Sequence, residues 1–478
     1  MAVTDEGASR NGNTNRRITM TRLDNYFEQL KGKRVLVLGV GVSNRPLVRL
    51  LLRYGIDVTC CDKTPREKLD AEVLDLEAAG AKLHLGENYL EDLEGDVVFR
   101  TPGLHPDTPQ IKALREAGAV ITSEMEAFFQ VCPCEIIAVT GSDGKTTTST
   151  LISELLKKQG YRVWLGGNIG TPLLDKADEM APADQVVLEL SSFQLMYFPY
   201  SPHVAVITNL APNHLDIHKD MQEYIEAKEN LYRHQGPEDR LILNLDNAIT
   251  HSFAPKARAR VEEFSRQGIP AQGVFFRDGA IRRTETPDEI LLAQSDILIP
   301  GLHNVENYMA AILAVGDRVS DENIRAVART FGGVEHRIEL VRVKDGVRFY
   351  NDSIASSPSR TTAGLRSFTQ KVILIAGGYD KHVPFEPLGP EIVAHVKTLV
   401  LTGATAPKIE AAVLAAPEYV PGRPEILHEE DFYEAVRLAA RVAQPGDVVI
   451  LSPAGPAFDK FKNFMVRGKE FKKTVMEL

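Results

Sequence analysis

Short runs of Val, Ile and Leu recur along the whole chain, alternating with stretches of helical spacing. Runs apolar at every position suit strands covered on both faces, and their alternation with helices is the pattern of parallel sheets flanked by helices. The expected class is therefore α/β. One series runs from KRVLVLGV through SNRPLVRLLLRYG, DVTCCD and GDVVFRTPG to SEMEAFFQV. A second begins after CPC at 132–134 and contains EIIAVTGSDGKTTT, YRVWLGGNIG, QVVLELSSFQL, HVAVITNLAPNHLD and RLILNLDN. A strand-rich insert around 261–300 and the helix HNVENYMAAILAVGD complete it. The third starts near GGVEHR and runs through VRFYNDS, KVILIAGGYDK, KTLVLTGA and DVVILSPAG to a basic C-terminal helix. With no short repeat in view, three successive domains are expected over 21–131, 132–334 and 335–478, behind a disordered lead at 1–20. The outer two read as Rossmann-like, the middle one as a P-loop ATPase-like, mostly parallel sheet.

A length of 478 residues fits this division, since a domain takes roughly 150. The formal net charge of −10 gives no general electrostatic reason to bind nucleic acid or an anionic membrane. The four cysteines, at 60, 61, 132 and 134, show neither a CxxC pair nor a zinc spacing, which suits a reducing cytoplasm. The polar N-terminus lacks the apolar core of a signal peptide, and no window approaches the ~18 apolar residues that span a bilayer.

VTGSDGKTTT, at 139–148, lies between a buried strand and a helix. Gly141 and Gly144 allow a tight turn that aims backbone amides at an anion, and the helix adds its positive end. Lys145 supplies a mobile charge, and Thr146 a hydroxyl suited to magnesium. The spacing GxxGKT is two residues shorter than the usual phosphate loop, and a plain Gly-rich turn capped by threonines is the competing reading. ATP or GTP is the expected ligand. A nucleotide with magnesium calls for hard oxygen ligands, and Glu189, His214 and Asp216 end later strands. The first series offers LGVGVSNRP after a strand, with Asp62 ending the next one. This is close to a dinucleotide fingerprint, but Asn44 stands where the third glycine belongs. UDP, FAD, NAD or fold geometry alone all remain open there.

TGSDGKTTT, GGNIG, LELSSFQL, TNLAPNHLDIH, EYIEAKENLY, GLHNVENYMAA, VEHRIE, YNDSIASSP, GGYDK and LSPAGPAFDKFKNF, in this order, resemble the motif series of the Mur ligases. The resemblance implies a UDP-sugar domain, a central ATPase and a C-terminal domain that closes over the site. It implies a monomeric ligase that joins D-glutamate to UDP-N-acetylmuramoyl-L-alanine in building peptidoglycan, with ATP becoming ADP and phosphate. By position it implies that Gly141, Ser142, Asp143, Gly144, Lys145, Thr146 and Thr147 take the ATP phosphates. Asn307, His336, Arg337 and Asp352 would surround base and ribose. Magnesium would sit on Thr146, Glu189, His214 and a carbamylated Lys228, so that Lys145, Glu189, His214 and Lys228 carry the catalysis. Val42, Ser43, Asp62 and Lys63 would hold the uridine diphosphate, with Asn168 and His214 near the reacting end of that substrate. Ser356, Lys381, Ser452 and Phe458 would meet D-glutamate.

Two motifs depart from the family pattern. NDSKATN becomes NDSIASSP, with Ile354 for a lysine and Ser356 for a threonine, and GGDGK becomes GGYDK, with Tyr379 for an aspartate. Both departures bear on the amino-acid pocket rather than the ATP chemistry. Competing readings are a ligase for another muramyl peptide or folate polyglutamate, a dinucleotide-dependent oxidoreductase, and a P-loop regulator without ligase activity. ELSSF lacks the GxSxG elbow of a hydrolase, so Ser191 and Ser192 read as structural.

Overall fold

The structure, a computed structural model, describes residues 20–211 and 218–478; the expected lead at 1–20 lies outside them apart from Met20. It falls into two compact units, Met1–Cys134 with Thr171–Ala183, and Glu135–Gly170 with Asp184–Leu478. No helix among the described residues is long and apolar enough to cross a membrane.

The first unit is built on β1 (Val35–Leu38), β2 (Val58–Asp62), β3 (Lys82–Leu85), β4 (Val97–Arg100) and β5 (Val120–Thr122), all parallel, in the order β3-β2-β1-β4-β5. Strand order reverses beside β1, which puts the loop after it at the position where such sheets bind ligands. Gly39 in that loop has φ +86°, and a Cβ there would press on Thr101. The buried side chain of Asn44 donates to Gly39 O at 2.8 Å, so it fastens the turn that a third glycine would leave open. Asp62 accepts from the amides of Val40 and Thr64 at 2.8 and 2.9 Å. Burial pushes its carboxyl up, but these amide bonds outweigh that and hold it below its ordinary range. Val42, Ser43 and Lys63 are exposed.

The second unit holds two sheets. The larger comprises β6 (Glu135–Thr140), β7 (Val163–Gly167), β8 (Gln185–Glu189), β9 (Val204–Ile207), β10 (Arg240–Asn244), β11 (Arg260–Ser265), β12 (Gly273–Arg277), β13 (Ala280–Arg283) and β14 (Leu292–Ala293), in the order β14-β13-β12-β11-β10-β9-β6-β8-β7. Only β13 and β14 run antiparallel to their neighbours, so the strand-rich insert extends the sheet at one edge. Helices Lys145–Gln159 and Leu302–Val315 cover it through Leu151, Leu155, Tyr308 and Ile312, packed against Ile137, Val139, Val206 and Ile242.

The smaller sheet contains β15 (Glu339–Lys344), β16 (Val347–Asn351), β17 (Val372–Ala376), β18 (Val396–Leu401), β19 (Glu425–His428) and β20 (Val448–Leu451), ordered β15-β16-β20-β17-β18-β19, with β15 alone antiparallel. Leu374 and Ile450 enter the core on one face, Ile375 and Leu451 the core on the other. Burial of both faces is why these strands read as unbroken apolar runs.

Candidate active site

The turn between β6 and helix Lys145–Gln159 is shaped by glycines that nothing larger can replace. Gly141 has φ +147°, and a Cβ there would overlap the Thr208 hydroxyl; Gly144, the N-cap at φ +78°, would overlap Asn307 Oδ1. The amides of Ser142 and Asp143 do not face inward as the loop pattern suggests. They donate to Asn209 O and Asn209 Oδ1 at 2.8 and 2.9 Å. The first amide used inside the helix is that of Thr148, bonded to Gly144 O, so the donors left for an anion are those of the first helical turn.

Two lysines meet at this turn. Lys145 Nζ donates to Gly141 O and Ser142 O, both at 2.9 Å, and Lys228 Nζ donates to Gly141 O and Thr140 Oγ1, both at 3.0 Å. Burial lowers the Lys145 ammonium below its ordinary range against the pull of Glu189 and Asp143. Lys228 is 1% exposed, and burial, with Lys145 nearby, drives it well below the ordinary lysine range. Helix Met221–Arg233 turns Lys228 inward beneath Tyr224, whose ring centre lies 4.9 Å from Nζ.

Glu189 ends β8 beside this turn. Gly167, at φ +93°, lets the GGNIG loop lie against the end of β8, and Asn168 donates its amide to Glu189 O at 2.7 Å and its side chain to Oε1 at 2.9 Å. Glu189 Oε2 is buried without a partner among the described residues. An orphaned carboxylate oxygen and a threonine on a phosphate-type turn, lining one cavity, fit a hard divalent cation completed by phosphate oxygens. Among the described residues no group of three His, Cys, Asp or Glu converges on a metal. His214 and Asp216 lie outside the described residues.

These groups line a cavity of about 1230 Å³ whose other wall is formed by the loop at 333–338, by residues 352–367 after β16, and by Phe464. Residues 141–147, Asn168, Glu189, Lys228, Asn307, Arg337 and Asp352 all reach it. Asn307 is buried, accepts from the Thr148 hydroxyl at 3.2 Å and donates to Asn304 at 3.0 Å. Burial pushes the Asp352 carboxyl up to about 7, although Ser452 Oγ and Ile338 N donate to it. His336, at φ +67°, is buried behind the lining, its Nδ1 2.9 Å from Asn351 Nδ2.

The residues expected to meet the amino acid are not gathered here. Ser452 is fully buried with its hydroxyl on Asp352, Ser356 lies outside the lining, Lys381 is exposed, and Phe458 is 60% exposed with its ring 6.1 Å from that of Tyr379. Asp380 is paired with Lys408 at 2.6 Å. Phe464, in the same LSPAGPAFDKFKNF motif as Phe458, does line the cavity, as do Ser192, Tyr224 and Arg360. Sequence reasoning passed over them because each reads as an ordinary core or surface residue of its element.

Residues 139–315 match the Mur ligase middle domain, and residues 336–455 match the Mur ligase, glutamate ligase domain. Over 460 residues the chain is 54% identical to a UDP-N-acetylmuramoylalanine--D-glutamate ligase of Acetivibrio thermocellus, covering 95% of this chain and 98% of that one. The chain belongs to the Mur ligase family. A relative of the same name from Ruminiclostridium cellulolyticum is 50% identical, covering 96% and 99% of the two chains, and one from Clostridium novyi is 48% identical, covering 96% and 100%. The Mur ligase fold is shared with the solved UDP-N-acetylmuramate-alanine ligase of Thermotoga maritima, at a TM-score of 0.57 and 17% identity over 93% of this chain and 99% of that one. It is shared too with a UDP-N-acetylmuramoyl-L-alanyl-D-glutamate--2,6-diaminopimelate ligase, at 0.55 and 19% over 93% and 92%.

Proposed function

We propose that this chain is an ATP-dependent ligase that joins D-glutamate to UDP-N-acetylmuramoyl-L-alanine in peptidoglycan precursor synthesis, and that it works as a cytoplasmic monomer. The observation that carries the chemistry is the meeting in one cavity of the Gly141–Thr147 turn, the orphaned oxygen of Glu189 and the buried amine of Lys228. The substrates follow from the relatives of that name, which align over 95% and 96% of the chain. We keep the division at 21–131, 132–334 and 335–478, with the first domain taking the UDP-sugar through Val42, Ser43, Asp62 and Lys63. Lys381, Ser356, Ser452 and Phe458 remain our candidates for the amino-acid side; Phe464 joins them because it lines the cavity.

A carboxylate does not accept an amine at neutral pH, because oxide would have to leave. Transfer of the terminal phosphoryl group to the L-alanine carboxylate releases ADP and gives an acyl phosphate. The D-glutamate amine, having lost a proton, attacks its carbonyl carbon, and phosphate departs as the amide forms. The protein's part is alignment and charge neutralisation. Lys145 swings from the carbonyls of Gly141 and Ser142 onto the transferred phosphoryl group, while the first helical turn holds the phosphates. Asn307, His336, Arg337 and Asp352 hold the nucleoside. Magnesium, when bound, neutralises phosphate charge; Thr146 and Glu189 would hold one ion, and Lys228 and His214 another, with His214 and Asn168 near the carboxylate to be activated.

Lys228 suits this role as a carbamate. Its suppressed basicity leaves a neutral amine that can add to carbon dioxide, losing one proton and becoming an anionic oxygen ligand. Protein equilibrated with 13C-labelled carbon dioxide should show a carbamate carbon resonance that Lys228→Met removes; identical spectra would reject the modification. The ligation itself is tested by ADP release with ATP, D-glutamate and UDP-N-acetylmuramoyl-L-alanine. Release should need all three, and release with a different amino acid or acceptor would refute the assignment.

A further inference from the structure

Beside the phosphate-binding turn lies a hydrogen-bonded trio that the chemistry above leaves without a task. Ser192 opens the short helix Ser192–Leu195, three residues beyond Glu189, and lines the same cavity. Its Oγ is 2.8 Å from His218 Nε2, and His218 Nδ1 is 3.3 Å from Glu223 Oε2. The imidazole is 2% exposed, stacked on Phe193 with centroids 5.2 Å apart and planes within 7°, and met edge-on by Tyr224 at 5.3 Å. Glu223 sits in the first turn of the helix that carries Lys228 and also accepts the Lys219 amide at 2.9 Å.

The direction of these bonds follows from the groups. A carboxylate only accepts, so Nδ1 carries the proton it shares with Glu223, and a neutral ring then has an acceptor at Nε2. With the ring neutral, Ser192 donates to it. Its hydrogen is thereby committed away from the cavity, and only oxygen lone pairs remain for whatever fills that space. The rings of Phe193 and Tyr224 pack on the imidazole and fix its plane, which holds Nε2 toward the hydroxyl.

We propose that His218 and Glu223 are positioning residues that hold the Ser192 hydroxyl as an acceptor for an N–H or O–H donor of the loaded site. That donor is either the incoming amine of the amino acid or a water on the magnesium. The inference rests on the ligase reading above and assigns it a contact that the ELSSF motif alone does not suggest. The trio resembles an activated-serine arrangement, but the hydroxyl is buried and the ligation has no step for an enzyme nucleophile, so it serves here to orient a lone pair.

Steady-state ligation by the full chain tests this with Ser192→Ala, His218→Phe and the double variant, each checked by thermal melting. Both single variants should lose about 10-fold or more in kcat, and the double should lose no more than about twofold beyond Ser192→Ala, since one contact is removed twice. If the donor is the amine, the KM for D-glutamate rises several-fold while the magnesium dependence holds; if it is a metal-bound water, the magnesium needed for half-activity rises instead. Should His218→Phe fail to fold, Glu223→Leu takes its place in the cycle. Wild-type kinetics in Ser192→Ala, losses that multiply in the double variant, or labelling of Ser192 by a fluorophosphonate would overturn the proposal. Wild-type protein that ligates nothing would instead refute the ligase reading, and this one would fall with it.

Discussion

At the scale of single residues, the two lysines on the Gly141 carbonyl are the most informative pair, because one backbone oxygen accepts from both amines. Their roles separate on mutation. On the mechanism proposed above, Lys145→Ala removes a mobile donor to the transferred phosphoryl group. It should lower kcat by about 100-fold or more, the scale seen when one preorganised donor to developing charge is lost, while Tm stays close to wild type. Lys228→Met leaves no acceptor stranded, since Thr140 Oγ1 still donates to Leu190 O and Gly141 O still accepts from Lys145. It also takes a poorly solvated amine out of the interior, so its melting temperature should equal or exceed that of wild type while ligation is lost. A Lys228→Met protein that melts well below wild type would mean the amine is a structural cross-link.

At the scale of elements, helix Lys145–Gln159 shows how two glycines at the ends of one helix differ. Gly144 caps its N-terminus at φ +78° against Asn307, and Gly160 caps its C-terminus at φ +106° with open space around the missing Cβ. Either change to Ala imposes a left-handed conformation, which costs about 1–2 kcal/mol. Only Gly144→Ala also displaces Asn307, which lines the cavity proposed to hold the nucleotide. We therefore expect Gly160→Ala to lower stability with unchanged ADP affinity by calorimetry, and Gly144→Ala to weaken ADP by about 10-fold or more for one lost buried contact. The strands were legible because runs such as VILIA are buried on both faces and carry no polar interruption. The GxxGKT turn was legible because only glycine tolerates its angles. Other features depend on partners remote in sequence and left no local trace. Asn209 takes the amides of Ser142 and Asp143, Asp352 takes the Ser452 hydroxyl, and Phe464 rather than Phe458 reaches the cavity. For the same reason, segment Thr171–Ala183, read as part of the second series, groups with the first unit.

At the scale of the whole molecule, each unit holds a buried acid whose raised pKa couples folding to pH. Burial pushes Glu124 in the first unit and Asp352 in the second up to about 7, and Glu124 Oε1 has no partner among the described residues. Both folded values lie above the ~4 of an unfolded carboxyl, so the folded state binds these protons more tightly than the unfolded state. Their contribution to stability is complete below about pH 4 and is lost as pH rises through about 7. Lys228 acts in the opposite sense, because its lowered value makes folding release a proton, and this penalty fades as pH rises toward the ordinary lysine range. Wild-type pH profiles mix these effects, whereas the difference between wild type and a single variant isolates one group. Asp352→Asn and Glu124→Gln should each match or barely exceed wild type in Tm at pH 5 and exceed it increasingly up to pH 8. There the gain should be on the order of 2 kcal/mol, or several degrees, for each. The two acids share no hydrogen-bond partner, so their gains should add in the double variant. Asp352→Asn should in addition weaken ADP binding, whereas Glu124→Gln should leave it unchanged. A Tm difference that does not vary with pH would show that the carboxyl in question is already neutral, or already solvated, throughout this range.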